Sequence, residues 1–388
     1  MLVIKKIILI LILVLLALPS INIIQFGIGG GFIKSSNAIS ALMGVFLVIF
    51  LIFSRWNRVK YQILPAFLII LVLYAQRSSF IAIVYSFQVI SIILIPYFFA
   101  YFNRQIKLQS FFNFAIFIGL LNIFIALLSR VFDFQLTINQ TTIINKYGFL
   151  YQPYLYSAYI GAGLIISSLV SKNKISYLYS SIFIVALFFS DARSIGLSFI
   201  LLYFILIILN NPFNLIWVVL ISTVSAFFVS GKMSLENLIY GLSGLDYSLV
   251  MRLNNITNYF EWVTDFRILF GGGFQAFYEF SRQYGGAGPV DNLYIRLISE
   301  IGIFGILLFV YINFISIRYS YRIFAFSNEI QIKHVNKTKI VLKIMAIVSC
   351  FLGIAFFMES QIVPRSGHMM YLIFVIFFFN INMENTKK

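Results

Sequence analysis

Continuous apolar runs long enough to cross a bilayer recur along the 388 residues, and they settle the fold class before any motif is read. Inside lipid every backbone N–H and C=O must bond within the protein, so only helices and closed barrels can span it. Barrel strands alternate apolar and polar residues. The runs here are uninterrupted over about 17–25 residues, the length of a membrane-crossing helix. Composition agrees: 61% of residues are hydrophobic and 10% charged, against about 25% charged in a soluble domain. The pattern predicts an all-α, polytopic membrane protein with about 12 spans. They fall at 5–26, 37–54, 61–76, 79–100, 111–131, 148–170, 175–191, 194–209, 213–230, 293–317, 340–358 and 368–381. The parity of that count rests on two short polar breaks, Gln76-Arg77-Ser78-Ser79 and Ser190-Asp191-Ala192-Arg193-Ser194. The first run follows Lys5-Lys6, lacks a small-x-small cleavage site and is long enough to span, so it reads as an uncleaved first helix.

The net charge of +16 follows from topology and not from nucleic-acid binding, because Lys and Arg collect in cytoplasmic loops. With a cytoplasmic N-terminus the inner connections carry Lys5, Lys6, Arg55, Arg58, Lys60, Arg104, Lys107, Lys172 and Lys174. The basic linker Arg318 to Lys343 and the C-terminal Lys387-Lys388 join them. The short outer connections are poor in basic residues. Both termini therefore face the cytoplasm and the whole chain, 1–388, forms one membrane domain. The linker reads as a topology anchor that also attracts anionic headgroups. With one cysteine, Cys350, and two histidines, no intrachain disulfide and no Cys/His metal cluster is expected.

Ser230 to Gly305 is the long stretch that lipid would not accept, and 231–292 is predicted to be a large outward-facing loop. It holds Arg252, Arg267, Arg282 and Arg296, several carboxylates, Gly271-Gly272-Gly273 and the pair Asp291-Asn292. Leu249, Leu253, Ile256, Tyr259, Phe260 and Val263 recur at spacings of three and four, which predicts one amphipathic helix from Tyr247 to Phe270. Arg252, Tyr259 and Trp262 would sit at headgroup depth, or the helix is a plain surface helix with a snorkelling arginine. The glycine triplet either ends that helix or presents amides to an anion. Asp291 suits the N-cap of the next span, and also a general base at the membrane surface. Arg296 and Glu300, at i and i+4, can pair on one helix face. Gly302 and Gly305 suit close helix packing.

Ionisable groups near the bilayer are costly and point to function, and here arginine dominates. Its permanent charge and forked donors match phosphate oxygens. Arg193 is a diphosphate contact or the partner of Asp191 in a capping turn. Arg77, Arg267, Arg296 and Arg365, with Trp262, are candidate substrate-binding residues. His368 beside Arg365 is either a structural or a catalytic histidine. Phe274, Tyr278 and Tyr284 are possible platforms for sugar faces.

Arg252, Trp262 and Phe270-Gly271-x-Gly273, followed by Asp291-Asn292-x-Tyr294-x-x-Leu297-x-x-Glu300-x-Gly302-x-x-Gly305, form an ordered pattern. It resembles the O-antigen ligase/Wzy-type polymerase superfamily. Tyr147-Gly148-Phe149 with Pro153, and Asp191-Ala192-Arg193-Ser194, resemble two earlier elements of that family. The match covers about Tyr147 to Gly305. The resemblance implies a GT-C-like bundle in the bacterial inner membrane. It implies an inverting, metal-independent and cofactor-free glycosyl transfer, with undecaprenyl-diphosphate-linked oligosaccharide as donor and acceptor. Arg193 and Arg252 would hold the diphosphate, and Asp291 would be the catalytic carboxylate. Its place is usually taken by histidine in ligases, which favours an O-antigen or capsule repeat-unit polymerase. A chain-length regulator and a flippase are implied partners. The alternatives are a ligase-type glycan transferase, or a polysaccharide flippase or transporter, although two related halves are not visible.

Overall fold

The computed structural model describes residues 2–17, 25–28, 31–54, 57–77, 80–102, 106, 108–138, 141–149, 153–170, 174–188, 190, 192–210, 254, 256–283, 292–327, 337–357 and 366–385. The expected span 213–230 and the loop up to residue 253 lie outside them.

Among the described residues, eight helices precede the loop: α1 (Leu2–Ala17), α2 (Ser35–Phe53), α3 (Asn57–Tyr74), α4 (Phe80–Tyr101), α5 (Leu108–Val131), α6 (Pro153–Val170), α7 (Lys174–Phe188) and α8 (Arg193–Asn210). Short helices α9 (Asp265–Phe270) and α10 (Ala276–Gln283) lead into α11 (Leu293–Ser327), α12 (Lys337–Phe357) and α13 (Ser366–Asn385). Five of these are long and apolar enough to cross a membrane: α2, α4, α5, α11 and α12. The protein is an all-α membrane protein, its described strands confined to two antiparallel hairpins, Gln25–Ile28 with Gly31–Lys34 and Leu136–Ile138 with Thr141–Ile144. Both polar breaks separate helices: a 3-10 turn at Ala75–Arg77 divides α3 from α4, and Ser190 and Ala192 lie between α7 and α8.

Three expectations change. The first run yields a helix described over Leu2–Ala17, and the first hairpin opens at Gln25, inside the expected span. The single amphipathic helix ending at Phe270 is broken at Val263-Thr264, between a helical turn over 256–262 and α9. The basic linker is shorter than its sequence implies, because α11 continues to Ser327 and α12 begins at Lys337.

The centre of the bundle is α4. Every residue from Gln88 to Ala100 is buried, enclosed by α2, α11 and α13. A helix hydrophobic on all sides belongs in such a position. Several of its polar groups are satisfied by neighbours, as a dry interior favours. Gln88 Nε2 donates to the Asn37 carbonyl at 3.0 Å. Ser316 Oγ of α11 donates to the Ile93 carbonyl at 2.6 Å, one turn ahead of Pro96. On α5, by contrast, Phe117, Leu121, Phe124 and Leu128 are exposed while Ile116, Ile123 and Ala126 are buried. Both faces are apolar, which fits a helix between core and lipid.

Candidate functional site

The site is built where α11 starts. Asn292 caps it: Oδ1 accepts from the backbone N–H of Tyr294 at 2.9 Å and of Ile295 at 3.2 Å. The cap therefore falls one residue later than Asp291, on the amide side chain, another strong capping type. Asp291 itself lies outside the described residues. Two turns on, Gly302 leaves the helical conformation with φ 67° and ψ −178°. Gly302 thus breaks the helix, and it also lets the α9 backbone pack closely against α11. A Cβ at Gly302 would strike the Leu269 carbonyl, and one at Gly271 (φ 75°) would strike the Glu300 carbonyl. Only a residue without Cβ fits either place.

The break turns two helix carbonyls towards the glycine strap that follows α9. Gly272 N–H donates to Ser299 O at 2.8 Å and Gly273 N–H to Glu300 O at 3.0 Å. Gly271 N–H donates to Arg267 O at 2.9 Å and so closes α9. All three amides of the triplet are spent on protein carbonyls. The anion-cradle alternative is thereby removed, and the helix-ending reading stands. The strap is also tied to the end of α3: Phe274 N–H donates to Tyr74 O at 3.2 Å, and Gln76 Nε2 to Phe270 O at 3.0 Å.

Within this frame Arg296 and Glu300 pair as their spacing predicts, with Nε 3.3 Å from Oε1. Glu300 Oε1 also accepts from Gln275 N–H at 3.1 Å. The guanidinium lies 4.6 Å from the Tyr85 ring centroid and 5.9 Å from that of Phe274. Tyr74 closes the box, its ring edge-on to Tyr85 at 5.4 Å. The Glu300 side chain is 3% exposed and that of Arg296 15%. A buried pair like this gains Coulomb and cation–π energy but must offset the loss of hydration of both ions. Among the described residues, Glu300 Oε2 and the Tyr74 and Tyr85 hydroxyls are buried without a protein partner. One acceptor and two donor-acceptor groups are thus left with unused hydrogen-bonding capacity in the neighbourhood of the Arg296 cation.

The opposite face of α11 packs a small aromatic core of Tyr259, Trp262, Phe277 and Ile295. Tyr259 and Trp262 are buried there. Arg267 is held to them: Nη1 donates to Trp262 O at 3.0 Å, and its guanidinium lies 4.7 Å from the Trp262 ring. Arg267 and Trp262 come together as a clasp that joins the 256–262 turn to α9.

Of the expected site residues, Arg267, Arg296 and Trp262 are described in full. Arg193 is the first residue of α8 and Arg77 the last of the 3-10 turn, described as backbone alone. Arg252, Asp291 and Arg365 lie outside the described residues, as does Tyr284. His368 is buried, its Nε2 3.0 Å from Ser91 Oγ, which is itself 3.2 Å from Ser40 Oγ. That chain joins α13 to α4 and α2 and supports the structural role. Tyr74, Tyr85 and Gln76 were missed as site residues. The signal was available: they flank the polar break between two apolar runs, where aromatic residues concentrate. Phe274 does bear on the site, against Tyr85 and Arg296. No family model matches the chain, and no curated protein matches it either.

Proposed function

We propose that this protein is a metal-independent inverting glycosyltransferase that joins lipid-diphosphate-linked oligosaccharide units into a polysaccharide at the outer face of the bacterial inner membrane. The observation that supports this reading is the Arg296–Glu300 pair with its strap. It fixes the start of α11, and with it the cap residue Asn292 that directly follows Asp291. A base must be held within hydrogen-bond reach of its proton, and a rigid helix start suits that need.

In this mechanism Arg193 and Arg252 hold the diphosphate. They stabilise the charge that develops as the bond from sugar C1 to the phosphate oxygen breaks. An acceptor sugar hydroxyl attacks C1 from the opposite side, and Asp291 takes its proton. Arg77 and Arg365 add contacts to the lipid-linked substrate. Arg296, already committed to Glu300 and two rings, positions the strap and the helix start. The donor and the acceptor are both undecaprenyl-diphosphate oligosaccharides, and a chain-length regulator and a flippase are the working partners. The large loop faces outward and both termini face the cytoplasm.

Purified protein supplied with lipid-linked repeat units should give a ladder of products on a gel. Arg193→Ala and Arg252→Ala should each abolish the long products while the protein still inserts. Arg252→Lys should be impaired as well, because an ammonium lacks the guanidinium fork. Wild-type ladders from both alanine variants would remove the diphosphate assignment. Transfer to a lipid A core, or no covalent product at all, would point to a ligase or a transporter.

A further inference from the structure

We propose that the cleft between α5, α6 and α7 seats one acyl chain of an anionic phospholipid, with Arg130 and Lys146 holding its phosphate headgroup. The cleft encloses about 280 Å³, near the lower end of the ~300–1,000 Å³ of ligand pockets. That size suits a stretch of hydrocarbon chain. Its inner wall is buried and nearly all apolar: Ile123 and Ala126 of α5, Tyr156 of α6 and Ala186 of α7. Its rim is exposed at Leu127 and Ile182. The exposed row Phe117, Leu121, Phe124 and Leu128 runs along the same helix, so the cleft opens towards the surface that lipid would cover.

One end of the cleft is cationic. Arg130 lines it and sits in the last turn of α5, where a membrane-crossing helix reaches the phosphate layer. The helix C-terminus also favours a cation there. Arg130 Nε donates to the Lys146 carbonyl at 2.9 Å, and its guanidinium lies 5.9 Å from the Tyr147 ring centroid. Lys146 Nζ lies 5.1 Å from the same ring, so both cations share Tyr147 as a neighbour. The corner is held by Asn122, whose Oδ1 accepts from Phe149 N–H at 2.9 Å, with Gly148 in a left-handed conformation at φ 63°. A largely apolar slot lined at one end by Arg130, with Lys146 against the ring that Arg130 also meets, complements a lipid with an apolar chain and net negative head. None of the residues assigned to glycosyl transfer lines the cleft.

Photo-crosslinking of the full chain in nanodiscs tests this. The probes are phosphatidylglycerol and phosphatidylcholine, each with a diazirine on one acyl chain, and the labelled residues are mapped by peptide mass spectrometry. Labelling of the inner wall at Ala126, Tyr156 or Ala186 is expected to be at least about threefold stronger with phosphatidylglycerol, each basic residue contributing a few-fold preference. Arg130→Gln should bring the two probes close to parity. Ala186→Phe, which fills the slot, should abolish inner-wall labelling while Phe117 and Phe124 remain labelled. Equal labelling by both probes, or labelling confined to Phe117 and Phe124, would overturn the proposal. Displacement of the probe by polyprenyl phosphate at low mole fraction would overturn it too, in favour of a carrier lipid.

Discussion

Arg296 and Arg130 each lie against aromatic rings at an end of an apolar helix, and their surroundings set them apart. Arg296 has a carboxylate one turn away, a box of three rings and a glycine strap bonded across the break in its helix. Its charge is neutralised inside the protein. Arg130 has a backbone carbonyl, a shared ring and a second cation as neighbours, beside an apolar slot that opens outward. The same side chain is a structural clamp in one place and a ligand-facing charge in the other. The buried carboxylate bound to Arg296 and the apolar slot beside Arg130 mark that division.

Three substitutions can break or sharpen the contrast, from the largest expected effect to the smallest. Glu300→Ala strands the Arg296 charge inside the protein and should cost about 3–5 kcal/mol, read as a large fall in the melting temperature of detergent-purified protein. A loss under ~1 kcal/mol would show that Arg296 does not depend on its carboxylate. Gly302→Ala forces a Cβ against the Leu269 carbonyl at positive φ and should cost about 1–3 kcal/mol. It should also make the 270–275 strap more open to limited proteolysis, and unchanged protection would argue against the strap. Arg130→Gln should alter the melting temperature in lipid-free detergent by no more than ~0.5 kcal/mol's worth. A loss as large as that of Glu300→Ala would erase the distinction between the two corners.

Much of the helical framework was legible because it depends on local chain properties. Apolar run length placed α2, α4, α5, α11 and α12, and two short polar breaks separated α3 from α4 and α7 from α8. The Arg296–Glu300 pair was legible too, since i, i+4 spacing brings the side chains together in any helix. The Tyr74–Tyr85–Phe274 box was not. Its members are far apart in sequence and meet only through the packing of α3, α4 and the strap. Gly302 was read as a packing residue because its spacing from Gly305 fits that role. Nothing in the spacing reveals a φ of 67°. Asp291 and Asn292 are both good caps, and the choice between them was made by where α11 begins.

The interruption at Gly302 also divides labour within one long rod. Only residues 303–317 separate the elbow from Arg318, fewer than the ~20 that a bilayer crossing takes, so the short arm before the elbow completes the crossing. Arg296 and Glu300 sit on that arm, near one end of the candidate span Leu293–Ile323. Their mutual pairing lets a crossing rod carry two ions at its end, and the elbow alone sets the direction in which that end points.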